Sequence, residues 1–124
     1  MAVERLFVGA GALLLALAVA LGAYSAHATK GAPHPEAARL LQTAVLYQFV
    51  HATGIVFAGI LARNGSSPWL VGAGVLHFAG IVLFCGSLWV LALTTKSLGP
   101  AAPTGGMCFI AGWIAMAVYG LGTR

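Results

Sequence analysis

The sequence predicts an all-α fold, an integral membrane bundle of four transmembrane helices, and three observations support this class. Charged residues make up 6% of the 124-residue chain and hydrophobic residues 60%, whereas soluble domains carry about 25% charged residues. Four apolar segments are long enough to cross a hydrocarbon core of about 30 Å. Short polar connections with proline and glycine separate these segments. We therefore expect one transmembrane domain over residues 1–124.

The first helix is predicted over residues 6–24, and a cleaved signal peptide is the alternative for this segment. Ala26-His27-Ala28 has the small-x-small form of a cleavage site. The apolar run is longer than the core of about 7–15 residues that signal peptides carry, and the short lead before it sets Glu4 against Arg5. We therefore expect the segment to remain as a membrane helix.

The other three helices are predicted from their apolar runs and the breaks between them. The second helix covers residues 36–62, with Pro35 suited to its first turn. A short polar turn around Asn64-Gly65 leads to a third helix over residues 69–93, so these two form an antiparallel hairpin. The fourth helix covers residues 104–121. Four spans place both termini on the same side of the membrane.

The positive charges give no orientation for the bundle. The side of the termini holds Arg5, Arg63 and Arg124, and the opposite side holds Lys30, Arg39 and Lys96. Because the numbers are equal, the positive-inside rule has no bias on which to act.

The second helix differs from the others because it carries a polar ridge. At about 100° per residue, its polar side chains fall within a sector of roughly 120°. The ridge consists of Glu36, Arg39, Thr43, Tyr47 and His51, and the small residues Gly54 and Ala58 continue it. An unpaired polar group facing hydrocarbon is costly, so we expect this face to be buried and the second helix to be the hub of the bundle. The opposite face, expected to meet lipid, comprises Leu41, Val45, Phe49, Val56 and Ile60.

Small residues at helical spacing predict the surfaces on which the helices approach one another. Candidate contact surfaces are Ala12, Ala16 and Ala20 on the first helix, Gly54, Ala58 and Ala62 on the second, Ala79 and Gly86 on the third, and Gly112 and Gly120 on the fourth.

His51 is the main candidate for a functional residue, because it lies roughly 18 Å into the second helix, near the membrane midplane. An ionisable residue inside the membrane indicates function by default. The alternative is a neutral histidine that only fixes helix packing. We group it with Gln48, Tyr47, Thr43 and the loop histidine His27 as a candidate polar intramembrane cluster.

His77 raises a haem hypothesis. Counted from the turn between the second and third helices, His51 and His77 lie at depths that match within roughly 5 Å. Two histidines on facing helices are a ligand set for a b-type haem. The neighbours Leu76, Phe78 and Ile81 provide no polar shell around such a site, which counts against it.

The remaining residues predict no further chemistry. Cationic residues occur singly, which argues against nucleic-acid binding. Ser25 and Ser87 lack a His/Asp arrangement, so no catalytic residue is predicted. Cys85 and Cys108 lie in apolar runs and are expected to be buried, unpaired thiols. We expect no enzyme activity, no metal and no cofactor.

Four stretches of the chain, taken together, resemble one family of small membrane proteins. They are Gly22-Ala23-Tyr24-Ser25-Ala26-His27, Tyr47-Gln48-Phe49-Val50-His51-Ala52, Leu83-Phe84-Cys85-Gly86-Ser87-Leu88, and Pro103-Thr104-Gly105-Gly106 with Gly112-Trp113. This combination resembles the family called domain of unknown function 423, which includes the animal transmembrane protein 256. The resemblance covers essentially the whole chain in the same order.

The resemblance implies a compact bundle of four membrane helices in a bacterial or mitochondrial inner membrane. The family has no assigned activity, so it implies no catalytic residue. Its pattern matches this chain at His27, Gln48, His51, Ser87, Gly105 and Gly106. It has no histidine at the place of His77, which weakens the haem hypothesis.

Three functional hypotheses follow from the residues. The first is a non-enzymatic accessory or scaffold protein of the membrane, alone, as a homo-oligomer or within a larger complex. The second is transport or binding of a small solute or proton, with the polar ridge lining a water-accessible cavity between the first, second and fourth helices. Haem-mediated electron transfer is the third.

Overall fold

The computed structural model describes residues 2–122, which form four helices of membrane-spanning length and contain no β-strand. The helices are α1 (Val3–Ala28), α2 (Ala37–Ala62), α3 (Pro68–Thr94) and α4 (Ala101–Leu121). The predicted all-α class and the four predicted spans are therefore confirmed. Arg124, counted above among the charges on the side of the termini, lies outside the described residues.

The helix ends differ from the prediction because polar and proline residues join the helices outside the apolar runs. The last turn of α1 includes Ser25, whose hydroxyl donates to the Gly22 carbonyl at 2.8 Å. Pro68 starts α3 behind Ser67, whose hydroxyl accepts a hydrogen bond from the Trp69 amide at 3.2 Å. The α4 helix begins before Pro103, since a first-turn residue needs no intrahelical acceptor for its N–H.

The α3 helix contains a π-helical turn at Ile81–Cys85, one turn beyond His77. Such a turn is wider than an α-helical one and shifts the facing direction of the residues after it. No sequence pattern predicted this feature.

The start of α1 and the end of α4 lie at the same end of the bundle, as the four-span topology predicts. Glu4 and Arg5, at the start of α1, share a cleft with Arg63, which follows α2. The end of α4, at Val118 and Tyr119, lies beside residues 64–67 of the α2–α3 turn.

The polar ridge of α2 is buried only in part, so the prediction that this face is buried was wrong at Glu36, Arg39 and Tyr47. His51 is 6% exposed, whereas Tyr47 is 39% exposed. Glu36 and Arg39 are exposed at the start of the helix, where they form an ion pair at 3.1 Å.

The α2 helix is the hub of the bundle, as predicted. Half of its most apolar 18-residue window is buried, compared with 17% for α1 and 22% for α4. Both of its sides are packed, because α1 covers one and α3 the other. Leu41 is fully buried, so the prediction that its face meets lipid was wrong at that residue. Ile60, on the same predicted face, is exposed.

Glycine, rather than the predicted alanine stripe, provides the contact surface of α1. Phe7, Gly11 and Ala18 face the bundle, whereas Ala12, Ala16 and Ala20 are exposed, so that prediction was wrong. A Cβ on Gly11 would lie 2.6 Å from Val56 Cγ2. Absence of a side chain at Gly11 lets the backbones of α1 and α2 approach more closely than an alanine stripe would allow.

The small-residue prediction was right for α2 and in part wrong elsewhere. Gly54, Ala58 and Ala62 are all buried. On α4, Gly112 is buried, but Gly120 is exposed and nothing lies near it. On α3 the buried glycines are Gly74 and Gly80 instead of Gly86. The rotation of a helix about its own axis decides which of its small residues face a neighbouring helix, and residue spacing does not determine that rotation.

Candidate functional site

His51 lies inside the bundle and is held by its own helix. Its side chain is 6% exposed. The ring Nδ1 lies 2.7 Å from the Tyr47 carbonyl oxygen, one turn earlier in α2. A carbonyl oxygen can only accept, so Nδ1 carries the hydrogen and donates it. In the neutral ring this leaves Nε2 as the acceptor.

His77 reaches the same place from α3. Its ring centroid lies 5.4 Å from that of His51, with 42° between the planes. The side chain is fully buried. The pairing agrees with the depth matching drawn from the α2–α3 hairpin.

The His77 imidazole occupies a flat slot between two glycines. A Cβ on Gly54 of α2 would lie 3.0 Å from His77 Nε2, and a Cβ on Gly112 of α4 would lie 2.9 Å from His77 Cε1. Any larger residue at either position would fill the space of the ring. The chain therefore brings three helices together around one imidazole.

Neither nitrogen of His77 has a hydrogen-bond partner among the described residues. Leaving a buried polar group unpaired costs about 1–3 kcal/mol. The tight contacts of the ring with Gly54 and Gly112 leave His77 held by packing instead of by hydrogen bonds.

Aromatic rings enclose the two histidines. His51 stacks face to face on Phe109 of α4, with centroids 3.5 Å apart and planes 10° apart. Trp113 meets His77 edge to face at 4.6 Å. We call this group the histidine–aromatic cluster, and its members are Tyr47, His51, His77, Phe84, Phe109 and Trp113.

The five residues of the predicted polar cluster do not form one site. Only Tyr47 and His51 belong to the histidine–aromatic cluster, with their rings 5.7 Å apart. Gln48 is 3% exposed and faces α1, where its Nε2 donates to the Leu14 carbonyl at 2.9 Å. Thr43 is half-buried, eight residues or about 12 Å before His51 along α2. His27 is exposed in the last turn of α1.

Sequence reasoning did not place Phe84 and Phe109 in the site. The sequence did contain a sign that the face of α3 around His77 is a close-packed helix contact, because Gly74 and Gly80 lie three residues to either side of it. Both glycines are buried, with Phe7 and Phe109 packed on them. Bulky rings beside glycines on facing helices are a packing pattern that the sequence could have suggested.

The site does not fit a haem. A haem between the two axial histidines would need open space for its macrocycle, whereas Phe109 stacks on His51 at 3.5 Å and Trp113 meets His77 at 4.6 Å. The space around them is taken by Gly54, Gly112 and Trp113. Residues 2–122 also contain no group of three or more His, Cys, Asp or Glu side chains that could hold a metal ion.

Four clefts on the described part of the bundle lie away from the two histidines. Their volumes are about 310–440 Å³, and neither His51 nor His77 lines any of these four. One of them, between α1 and α2, is lined by Ser25, Thr29 and Gln42 near one membrane boundary. None of these four clefts is lined by a residue of the polar ridge.

Comparison with known proteins shows relatives that are themselves uncharacterised. The family model described as "Protein of unknown function (DUF423)" matches residues 21–106. The chain is 41% identical over 116 residues to the UPF0382 membrane protein YwdK of Bacillus subtilis, covering 92% of this chain and 94% of the relative. It is 38% identical over 117 residues to the UPF0382 membrane protein SH2409 of Staphylococcus haemolyticus, covering 92% and 93%. No solved structure matches the chain.

Proposed function

The chain belongs to the DUF423 family of multi-pass membrane proteins without an assigned molecular function, and we propose that it acts as a non-enzymatic accessory or scaffold component of the membrane. The observation that carries this proposal is the stack of His51 on Phe109 at 3.5 Å, with the His51 Nδ1 bonded to the Tyr47 carbonyl. The ionisable residue near the midplane is used for packing. A side chain that lined a passage would instead need contact with water.

The outer surface of the bundle supports an interaction role. Helices α1 and α4 are the least buried, and their exposed side chains include Leu13 at 73% and Ile114 at 57%. These apolar faces can meet lipid, a second copy of the chain or a larger membrane complex. Since only three of the 26 residues of α1 and four of the 21 residues of α4 are buried, most of their surface remains available for contacts.

The transport alternative has less support than the scaffold proposal. It required a water-accessible cavity along the polar ridge, whereas His51 is 6% exposed and surrounded by rings. Gln48, the other buried polar residue of α2, is used in a bond to α1. These contacts use the His51 Nδ1 and the Gln48 side-chain amide within the bundle.

The experiment is to extract the protein from its native membrane in a mild detergent and measure the mass of the protein part of the particle by light scattering. We expect a particle larger than the 12.6 kDa monomer, with the same partner or a second copy recovered after cross-linking in intact membranes. A lone monomer in several mild detergents, with no cross-linked product, would contradict the scaffold proposal.

A parallel assay separates scaffold from transport. Proteoliposomes with an internal pH-sensitive dye would report proton flux for the native protein and for His51→Gln. The scaffold proposal expects both to match empty liposomes. A flux that depends on His51 would replace it by the transport hypothesis.

A further inference from the structure

A cleft at the membrane boundary of the termini carries two arginines, and neither forms an ion pair with another residue of the range 2–122. It has a volume of about 440 Å³ and is lined by Glu4, Arg5, Val8, Gly9 and Arg63. Arg5 lies in the first turn of α1, and Arg63 directly follows α2. Two residues that are distant in sequence thus line one site.

The position of the cleft at the end of two membrane-spanning helices suits contact with lipid phosphates. The α1 helix has 26 residues, a length of about 39 Å, whereas the hydrocarbon core is about 30 Å thick. The α1 helix is therefore long enough for its first turn, which carries Arg5, to reach the headgroup region. Arg63, at the end of α2, shares that level because it lines the same cleft.

The described residues do not neutralise the charges of the cleft. Among residues 2–122, neither Arg5 nor Arg63 forms an ion pair, whereas Arg39 at the opposite boundary is paired with Glu36 at 3.1 Å. The cleft holds two guanidinium groups and the carboxylate of Glu4, which leaves a net charge of +1. One singly charged anion would neutralise it.

We propose that this cleft binds the headgroup of an anionic glycerophospholipid that carries one phosphodiester. Arginine presents a planar fork of donors that matches phosphate oxygens, and basic sites between helices at this level are suited to lipid headgroups. Gly9 is exposed, and a Cβ added to it would meet nothing within 4 Å. The groove beside Val8 and Gly9 gives an acyl chain a path from the headgroup into the bilayer.

Native mass spectrometry of the full chain in a neutral detergent tests the proposal, with dioleoylphosphatidylglycerol as the probe and dioleoylphosphatidylcholine as its zwitterionic control. The double variant Arg5→Gln/Arg63→Gln should bind phosphatidylglycerol about tenfold or more weakly than the native protein, since each arginine near a lipid surface contributes about a factor of five. Arg39→Gln, the matched control at the opposite boundary, should bind as the native protein does. The helical circular dichroism of each variant confirms that it is folded.

Two further variants test which parts of the lipid the cleft recognises. Gly9→Leu keeps every charge and fills the groove, so it should weaken binding of the lipid but not of glycerophosphate. Arg5→Lys/Arg63→Lys should retain part of the affinity, because the charge remains without the fork geometry. Equal binding of phosphatidylglycerol by the native and double-glutamine proteins would overturn the proposal. So would equal binding of both lipids, or displacement of the lipid by inorganic phosphate at equal concentration.

Discussion

His77 lies so close to Gly112 that a Cβ on the glycine would be 2.9 Å from the imidazole carbon Cε1 and 3.0 Å from Nδ1. The same ring also covers Gly54 of α2, where a Cβ would lie 3.0 Å from His77 Nε2. Lipid tails are as apolar as the side chains of the bundle, so helices in a membrane associate through close packing instead of escape from water. The fit of one flat ring between two glycines joins α2, α3 and α4 in this way.

Gly112→Ala should destabilise the bundle, because its methyl group would overlap the His77 ring. Overpacking of this kind costs about 1–3 kcal/mol. Unfolding in mixed micelles of dodecyl maltoside and sodium dodecyl sulfate, followed by circular dichroism, measures the loss. Gly106→Ala on the same helix is the control, since its Cβ would meet nothing within 4 Å, and it should be at least as stable as the native protein.

A double variant tests whether His77 causes the effect. In His77→Ala the ring is gone, so adding Gly112→Ala should cost much less than it does in the native background. Equal costs in both backgrounds would show that the glycine is needed for another reason.

Phe109→Leu should remove the face-to-face contact with His51. Aromatic pairs contribute about 0.5–1.5 kcal/mol beyond the area they bury, and the smaller side chain also leaves space beside Gly80, on which Phe109 packs. The direct measurement is the NMR signal of the His51 ring protons. Because the His51 and Phe109 ring centroids lie 3.5 Å apart, we expect the ring current of Phe109 to shift these protons upfield in the native protein. In Phe109→Leu these protons should move downfield.

The control for Phe109 is its neighbour Ile110, which is 55% exposed. Ile110→Leu should leave both the His51 proton shifts and the unfolding midpoint unchanged. An unchanged His51 signal in Phe109→Leu would contradict the stack.

The fold class and the His51–His77 pairing follow from the sequence for a physical reason. Apolar runs must be helical in a bilayer because every backbone polar group needs an internal partner. When a short turn joins two such helices, residues at similar distances from the turn lie at similar depths in the membrane. This brings His51 beside His77. Both inferences need only helix rise and chain connectivity.

The other contacts of the site depend on helix rotation, which no local rule determines. Phe109 and Trp113 reach the histidines because α4 turns that face inward. Leu41 is buried because α1 and α3 cover both sides of α2. The π-helical turn at Ile81–Cys85 changes the direction of the second half of α3, and its residues carry no signal for it.

Gln48→Leu should weaken the contact of α1 with α2 by a modest amount. The Gln48 side chain donates to the Leu14 carbonyl at 2.9 Å across the two helices. Hydrogen bonds between membrane helices contribute about 0.6 kcal/mol on average and up to about 1.7 kcal/mol. The same micellar unfolding assay measures the change, with the exposed Gln42→Leu as the matched control. A loss in Gln42→Leu as large as in Gln48→Leu would contradict this assignment.

Gly11→Ala and Ala16→Leu together decide which face of α1 meets α2. A Cβ on Gly11 would lie 2.6 Å from Val56 Cγ2 and 3.0 Å from the Ala52 carbonyl oxygen, so Gly11→Ala should force the helices apart and cost about 1–3 kcal/mol. Ala16 is exposed, so the much larger change to leucine should leave stability nearly unchanged. If the alanine stripe predicted from spacing alone were the contact surface, Ala16→Leu would lose more stability than Gly11→Ala. A stable Gly11→Ala with an unstable Ala16→Leu, measured by unfolding in mixed micelles, would restore that stripe as the contact surface, because only a residue inside the interface is sensitive to added volume.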